Sequence, residues 1–277
     1  MTLPAAGDLS PAARAFDSIA GAFDERFGEW LSVAAQRRAV RAALAEAFAP
    51  GSRLIEIGGG TGEDACWLLD SGREVLVTDP SPAMVGAAAA KLRMLGRGEA
   101  RVAAAERLDE LASELGSEPG FDGAYSNFAA LNCVTDLRPV GRGLARLLRP
   151  GAPALLVLFG TCCPGELIVE AVRDRPRNMF RRFARGDVRA RLGAHDFAVR
   201  YHRAAAVRAA MAPWFDFSGR QAIGLAVPPS AAEPWISRHP RLLAALEAFD
   251  RGLSRPLAIF GDHVLYRFVR NSAEVGG

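Results

Sequence analysis

Two acids and a short run of glycines carry most of the chemistry that this sequence suggests. The first acid, Glu56, comes just before a loop with four glycines, which are Gly58, Gly59, Gly60 and Gly62. The second acid, Asp79, lies 21 residues beyond Gly58. A carboxylate about 20 residues past such a loop accepts hydrogen bonds from ribose hydroxyls, and glycines let a ligand approach the backbone closely. The pattern indicates a site for a nucleoside.

The residues around this loop predict the elements that position it. Apolar residues over 54–57 predict a strand, the spacing over 63–70 predicts a helix, and 73–79 predicts a second strand that ends at Asp79. This is the first crossover of a doubly wound sheet, whose ligands bind at the carboxyl ends of the strands. A dinucleotide fingerprint would need a third glycine at position 63. Glu63 stands there instead, and its charge would repel a pyrophosphate, which disfavours a nicotinamide oxidoreductase.

The acid and the alternating glycines resemble the S-adenosylmethionine (SAM) motif of the class I methyltransferases. The turn Asp79-Pro80-Ser81-Pro82-Ala83-Met84 is similar to the turn that follows the second strand in that family. The resemblance implies SAM as cofactor, with Glu56 and the glycines at its amino-acid end, Asp79 at the ribose, Met84 against the adenine and Pro80 beside them. It also implies an α/β fold: a Rossmann-like, seven-stranded, mostly parallel sheet with helices on both faces, an antiparallel last strand and a helical lid.

The predicted adenine site departs from the family pattern. The family follows its third strand with an acid and an alanine, whereas this sequence has Ala104 where an aspartate is usual. The resemblance then implies that backbone and apolar contact at Ala105 hold the adenine, with Glu106 as a substitute acid. Because of this departure, a SAM-binding protein without catalytic activity is an alternative.

The segment 121–132 resembles the family's fourth strand and its exit, which lies beside the transferred methyl group. The resemblance places Asn127 and Phe128 in the cofactor site, with Asn127 positioning either SAM or the acceptor. The sequence here is not the Asn-Pro-Pro-Tyr/Phe used by enzymes that methylate amino groups of adenine or glutamine, so those substrates are disfavoured. The structural alternative for Asn127 is a turn amide that caps its own backbone.

Residues 1–50 are predicted to form an N-terminal helical lid. The segment 16–24 resembles the opening of small-molecule methyltransferases, which folds over the cofactor and acceptor, but Phe16 and Phe23 stand where tyrosine is usual. Their ring faces could still contact the acceptor or a sulfonium cation, which gains about 0.5–2 kcal/mol near an aromatic face. As the alternative, both rings are simple packing residues.

About forty residues after the predicted fifth strand, 161–203, exceed what a bare core needs and predict an inserted helical cap over the acceptor pocket. The spacing over 178–185 predicts an amphipathic helix, and nine arginines lie from Arg177 to Arg208. Arg181 in this helix would pair with a carboxylate or phosphate of the acceptor, which would make the acceptor anionic. Arginines on a solvated helix face are the alternative.

The segment in which the cap rejoins the core contains the candidates for a catalytic base. Residues 201–211 resemble a family segment that lines the acceptor pocket, which makes Tyr201 and His202 candidates for acceptor binding. The ordinary pKa of histidine lies near neutrality, so His202 is also the candidate base, with His195 as a weaker one. A histidine on the surface or satisfied within the fold is the alternative.

The composition sets further bounds. A chain of 277 residues with net charge +3 fits one domain with a cap, here a SAM-binding core at 51–160 completed by 204–277. Lys91 is the only lysine, so the arginine content reflects coding bias, and nucleic acid is an unlikely partner. The longest apolar run spans six residues, far fewer than a membrane span needs, and 1–11 lack signal-peptide features. A cytoplasmic protein is expected.

Four cysteines, at 66, 133, 162 and 163, form no Cys-x-x-Cys pair, so no metal is expected. A homodimer is one possible assembly. The sequence therefore favours a SAM-dependent methyltransferase that acts on a small molecule by in-line displacement. A methyltransferase for RNA or protein is the main alternative, although no recognition module is visible.

Overall fold

The structure is a computed structural model that describes residues 9–116 and 120–275, except for the side chains of residues 176 and 177. The first eight residues, on which part of the lid prediction and the signal-peptide expectation rest, lie outside this range. So do residues 117–119 and the last two residues of the C-terminal tail.

Within the described residues, nine strands form two sheets. They run over Arg53–Ile57 (β1), Glu74–Asp79 (β2), Glu99–Val102 (β3), Gly123–Ser126 (β4), Pro153–Phe159 (β5), Asp187–Leu192 (β6), His195–Arg200 (β7), Phe215–Ile223 (β8) and His263–Arg270 (β9). The large sheet has the order β3-β2-β1-β4-β5-β9-β8, and β6 pairs with β7 in a separate hairpin. β1 to β5 are parallel, and β9 is antiparallel to both of its neighbours. The predicted fold class is confirmed, including the position of the antiparallel last strand.

Eleven α-helices are assigned within the described residues. They span Pro11–Asp17 (α1), Phe23–Gly28 (α2), Leu31–Ala47 (α3), Glu63–Asp70 (α4), Pro82–Met94 (α5), Leu108–Leu115 (α6), Arg138–Leu147 (α7), Pro164–Val172 (α8), Pro176–Met179 (α9), Ala204–Met211 (α10) and Pro240–Leu253 (α11). None of them is long and apolar enough to span a membrane.

The sheet is buried on both faces because its central strands are apolar throughout. On β1, Leu54 belongs to the cluster under α3, α4 and α5, whereas Ile55 and Ile57 belong to the cluster under α6, α7 and α10. Alternate side chains of a strand point to opposite faces, so each face receives its own core. The glycine loop at the end of β1 is therefore anchored between two packed layers.

The cap differs from its prediction. The amphipathic helix expected over 178–185 is wrong: α9 ends at Met179, and a short 3-10 turn covers Arg181–Phe183. The following residues form the hairpin of β6 and β7, with half-buried and exposed residues alternating along β6. Arg189 and Arg191 thus stand on the exposed face of a strand. The hairpin packs on α1 through Phe197, whose ring centroid lies 5.8 Å from that of Phe16.

Candidate active site

A cavity of about 1090 Å³ lies at the carboxyl ends of the parallel strands. The glycine loop, the ends of β2 and β4, the N-terminal helices and the start of α8 enclose it. Most predicted site residues line it: Phe16, Phe23, Glu56, Gly58, Gly59, Gly60, Asp79, Pro80, Met84, Ala105, Glu106, Asn127, Phe128 and Arg181. Tyr201 and His202 are not among the lining residues, and neither is Gly62.

The glycine loop is shaped by close contacts. A Cβ on Gly59 would lie 2.6 Å from Oε2 of Glu56 and 2.7 Å from Cγ1 of Val77, so the loop lies flush on the side chains beneath it. Gly62 has a φ of +77° where the chain turns into α4, a conformation that glycine adopts without strain. The ligand-facing side of the loop is therefore bare backbone.

Asp79 is held against this loop. Its Oδ2 accepts a hydrogen bond from the N–H of Gly60 across 3.0 Å, and its Oδ1 accepts one from the N–H of Ser81 across 2.9 Å. Burial raises the pKa of Asp79 to about 6, against the opposing effect of these two hydrogen bonds. The carboxylate keeps lone pairs for further donors such as vicinal hydroxyls.

Glu56 lies directly under the loop and is 2% exposed. Its Oε2 has no hydrogen-bond partner among the described residues. Burial, and then the nearby charge of Asp64, raise the pKa of this carboxyl well above its ordinary value. A buried polar atom without a partner is costly unless a ligand or water satisfies it. This orphan atom and the bare glycine backbone fit the polar amino-acid end of SAM.

The residues predicted to hold the adenine line one part of the cavity. Met84 is buried, Ala104 and Ala105 are half-buried, and Glu106 is exposed. This part of the cavity offers apolar contact and backbone groups, with Glu106 as a carboxylate on the same segment.

Asn127 joins two elements of the site. Its Nδ2 donates to Oδ2 of Asp64 across 2.7 Å, while its Oδ1 accepts from the N–H of Phe128. Phe128 and Ala129 have φ values of +48° and +59°, a conformation that costs energy for residues with a Cβ. The side-chain amide therefore fixes the turn that leaves β4, and both of its ends are engaged by the protein.

Sequence reasoning missed Arg37, which lines the cavity from α3. Its guanidinium lies 4.7 Å from the ring centroid of Phe128, and its Nη1 lies 3.3 Å from Oδ1 of Asp64. Nε of Arg41 donates a hydrogen bond to the same oxygen of Asp64 across 2.8 Å. In the sequence, Arg37 is only one of several arginines on the polar side of α3. That pattern does not distinguish an arginine that lines a cavity from one that faces solvent.

Two N-terminal aspartates fasten the helices that cover the cavity. Oδ1 of Asp17 accepts hydrogen bonds from Oγ of Ser81 and from the N–H of Ala83. Oδ2 of Asp24 lies 2.6 Å from Nζ of Lys91, and its Oδ1 accepts a bond from Thr61. The rings of Phe16 and Phe23, with centroids 6.4 Å apart, are held over the cavity between these anchors.

The far end of the cavity holds a second group that sequence reasoning missed. Asp262 and His263 stand at the start of β9, next to Phe159 at the end of β5. Arg182, 5% exposed, donates to Oδ1 of Asp262 across 2.6 Å and also pairs with the carboxylate of Glu166. The sequence shows Asp262-His263 only as two polar residues opening an apolar strand.

Arg181 lines the cavity, but its Nε already donates to Oε1 of Glu166 across 2.7 Å. Glu166 is 2% exposed and receives both Arg181 and Arg182. Arg181 and Arg182 therefore find their carboxylates within the protein.

His202 sits behind the cavity wall. Its Nε2 lies 2.9 Å from the carbonyl oxygen of Val134, it is 6% exposed, and burial lowers its pKa. Tyr201 packs on Phe159, with ring centroids 5.7 Å apart, and under the guanidinium of Arg182. His195 lies in the cap hairpin, also outside the cavity lining. The geometry therefore satisfies His202 with backbone, as in the structural alternative, and gives no support to its role as a base.

No group of three or more histidine, cysteine or acidic side chains that could hold a metal occurs in the part of the chain that the structure describes. Cys133 lines the cavity as a thiol whose pKa burial raises to about 12.

Comparison with known proteins places this geometry in a family. Residues 55–154 match the family model described as a methyltransferase domain. A search of curated protein sequences finds no match.

Solved structures share the fold at low sequence identity. An S-adenosylmethionine-dependent methyltransferase from Mesorhizobium loti has 20% identity and a TM-score of 0.55, covering 85% of this chain and 98% of that one. A SAM-dependent methyltransferase from Methanosarcina mazei has 18% identity and a TM-score of 0.55, with coverage of 84% and 98%. A geranyl diphosphate methyltransferase in complex with GPP and sinefungin has 15% identity and a TM-score of 0.51, with coverage of 84% and 77%.

The matched domain begins in β1, contains the glycine loop and Asp79, and ends in β5. These elements form one end of the cavity, and the sheet order is the one that the family resemblance implied. Residues 55–154 are a methyltransferase domain, and the chain has the fold of the SAM-dependent methyltransferases.

Proposed function

We propose that this methyltransferase transfers a methyl group from SAM to a small-molecule acceptor bound inside the cavity. This proposal rests on the size of the cavity and on the elements that surround it. Pockets for single drug-sized ligands are about 300–1,000 Å³, and this one has about 1090 Å³. The volume suits a cofactor together with a small acceptor.

In this proposal, the cofactor is bound by the residues around the glycine loop. Asp79 takes the ribose hydroxyls, the loop backbone and Glu56 meet the amino-acid end, and Met84 with Ala105 packs on the adenine. Arg37, which is held beside the loop by Asp64, is the candidate partner for the carboxylate of the cofactor.

In this proposal, the elements that surround the cavity bind the acceptor. The N-terminal residues up to 50 act as the lid, and residues 161–203 act as the cap. Phe16 and Phe23 contribute ring faces to the acceptor side, and the short helices and hairpin of the cap close the far wall. An RNA or protein acceptor would need an open, basic face, whereas the four arginines that line the cavity among the described residues pair with Asp64, Glu110, Glu166 and Asp262.

SAM supplies a methyl group on a good leaving group, so alignment dominates the catalysis. Holding two reactants in near-attack geometry contributes about 7–11 kcal/mol. The protein provides this through rigid parts: the Asp64–Asn127 bond fixes the turn after β4, and the Phe128 ring stands between the loop and β9. The apolar lid keeps water from the reacting atoms.

Two measurements test the proposal. Calorimetry should show SAM binding, with no binding of NAD. The protein is then incubated with methyl-labelled SAM and cell extract, and the products are separated by size. Label in the small-molecule fraction is expected. Label confined to RNA or protein would contradict the proposal, and label in no fraction would favour a SAM-binding protein without catalytic activity.

A further inference from the structure

His263 stands in the wall of the cavity at the first position of β9. Its ring stacks on Phe159, with centroids 4.8 Å apart and an interplanar angle of 24°. It meets the ring of Phe128 edge-on, with centroids 6.2 Å apart. Phe128 belongs to the turn that leaves β4, beside the cofactor loop. The imidazole is therefore one aromatic ring away from the cofactor half of the cavity.

The carboxylate of Asp262 lies beside this imidazole. Its Oδ2 is 3.4 Å from Nδ1 of His263, a charge contact that does not meet hydrogen-bond geometry, and it accepts a hydrogen bond from Nε2 of Gln36 across 3.0 Å. Its Oδ1 accepts a bond from Nη2 of Arg182 across 2.6 Å. The negative charge held beside Nδ1 favours the tautomer with the proton on Nδ1. That tautomer leaves Nε2 as a proton acceptor.

The charges around His263 balance. The groups that face it are Asp262 on its own strand, Arg182 in the 3-10 turn of the cap and Glu166 on α8, while Arg181 completes the cluster by pairing with Glu166. Two guanidinium and two carboxylate groups give no net charge. The cluster therefore offers no free cation to an anionic acceptor within the described residues.

Burial also keeps the imidazole uncharged. It lowers the pKa of His263 below 6.5, Arg182 adds to this effect, and Asp262 and Glu166 oppose it. A neutral imidazole in the wall of this cavity is in the state that can accept a proton near neutral pH.

We propose that His263 is the general base of the methyl transfer and that the acceptor is an uncharged apolar compound with a hydroxyl group. This inference rests on the function proposed above. The acceptor oxygen bonds to the methyl carbon while the carbon–sulfur bond breaks and leaves its electron pair on sulfur. The hydroxyl proton passes to Nε2 of His263, Asp262 stabilises the imidazolium, and the proton then leaves to solvent. Asp262 is a positioning residue.

The first test needs no acceptor. The chain has four histidines, so NMR titration of labelled imidazoles in the complex with S-adenosylhomocysteine identifies His263 as the signal that is lost in His263→Gln. We expect this signal to titrate below 6.5 and to move lower still in Asp262→Asn, because a negative charge is removed. A midpoint at or above 6.5, or no response to Asp262→Asn, would overturn the assignment.

The second test uses 2-naphthol, 2-naphthylamine and 2-naphthoate as probes, because they share one apolar ring system. His263→Gln should lower kcat for the hydroxyl probe about 10²- to 10⁴-fold, and have little effect on the amine, which needs no prior deprotonation. His239→Gln is the matched control, since His239 is exposed and outside the cavity lining. Undiminished transfer to 2-naphthol by His263→Gln would overturn the base.

The same assay tests whether the preferred acceptor is uncharged or anionic. Preference for 2-naphthoate over 2-naphthol, lost in Arg181→Ala, would show that the cap arginines bind an anion and would overturn the uncharged acceptor. Calorimetry with SAM precedes these assays, because a protein that fails to bind SAM refutes the proposed function itself. A protein that binds SAM but fails the titration refutes only the role of His263.

Discussion

The N–H of Gly60 donates a hydrogen bond to Oδ2 of Asp79 across 3.0 Å. The loop after β1 and the acid that ends β2 therefore form one unit, although 19 residues separate them in the chain. The carboxylate that holds the loop also lines the cavity. The glycine loop and the acid, which are the two strongest signals in the sequence, are therefore in direct contact.

Replacing Asp79 by Ala should weaken SAM binding about 10- to 100-fold for each charge-assisted hydrogen bond that is lost, since such a bond contributes about 1.5–3 kcal/mol. The variant also leaves the N–H groups of Gly60 and Ser81 without their acceptor. Calorimetry measures the change. Asp216→Ala, at an exposed position of β8, is the control. Equal affinities for wild type and Asp79→Ala would remove the ribose assignment.

The affinity for SAM should also depend on pH through Asp79. Its pKa is raised to about 6 by burial, so the group is mostly protonated at pH 5 and mostly a carboxylate at pH 7.5. The carboxylate is the form that accepts two hydroxyl donors, and binding should therefore be about tenfold weaker at pH 5 than at pH 7.5. An affinity that is constant over this range would show that Asp79 does not titrate in the binding step.

Gly59→Ala should disrupt the loop even though the residue makes no side-chain contact. The added Cβ would lie 2.6 Å from Oε2 of Glu56 and 2.7 Å from Cγ1 of Val77. Overpacking of this kind costs about 1–3 kcal/mol, and SAM binding should weaken with it. Gly252→Ala is the matched control, because a Cβ there meets nothing within 4 Å. Urea unfolding and calorimetry on both variants decide the point.

Arg182→Ala should destabilise the fold by about 3–5 kcal/mol, the cost of breaking a buried ion pair and leaving its carboxylates uncompensated. Arg182 is 5% exposed and pairs with both Glu166 and Asp262. Arg185→Ala, at an exposed position of the same segment, should leave the urea midpoint unchanged. Equal midpoints for the two variants would mean that the cap does not depend on this pair.

His202→Gln should change how stability depends on pH. Burial lowers the pKa of His202 below 6.5 in the folded protein, so the unfolded chain binds the proton more readily. Stability from this group is present above pH 6.5 and is lost as pH falls toward the lowered value. Unfolding measured between pH 5 and 8 should show a shallower acid loss in the variant. Identical slopes would mean that His202 keeps its ordinary pKa in the fold.

The sequence by itself determined that the glycine loop and Asp79 would meet at one end of the cavity. Its signals are local: an apolar strand, a glycine loop that needs positive φ at Gly58, and an acid at the end of the next strand. Parallel strands bring their carboxyl ends to one edge, so local order and spacing were enough to predict where these residues meet. The antiparallel last strand, in contrast, is predicted by the family resemblance.

Only the tertiary structure decided the acceptor end. The carbonyl that occupies His202 comes from Val134, 68 residues away, and the carboxylate of Asp262 that receives Arg182 lies 80 residues away. The predicted helix over 178–185 is wrong because Arg182 turns inward to Glu166 and Asp262, while Phe180 and Phe183 are exposed, which is the reverse of the predicted amphipathic pattern. Which histidine lines the cavity, and which carboxylate each arginine pairs with, depend on partners that no local pattern encodes.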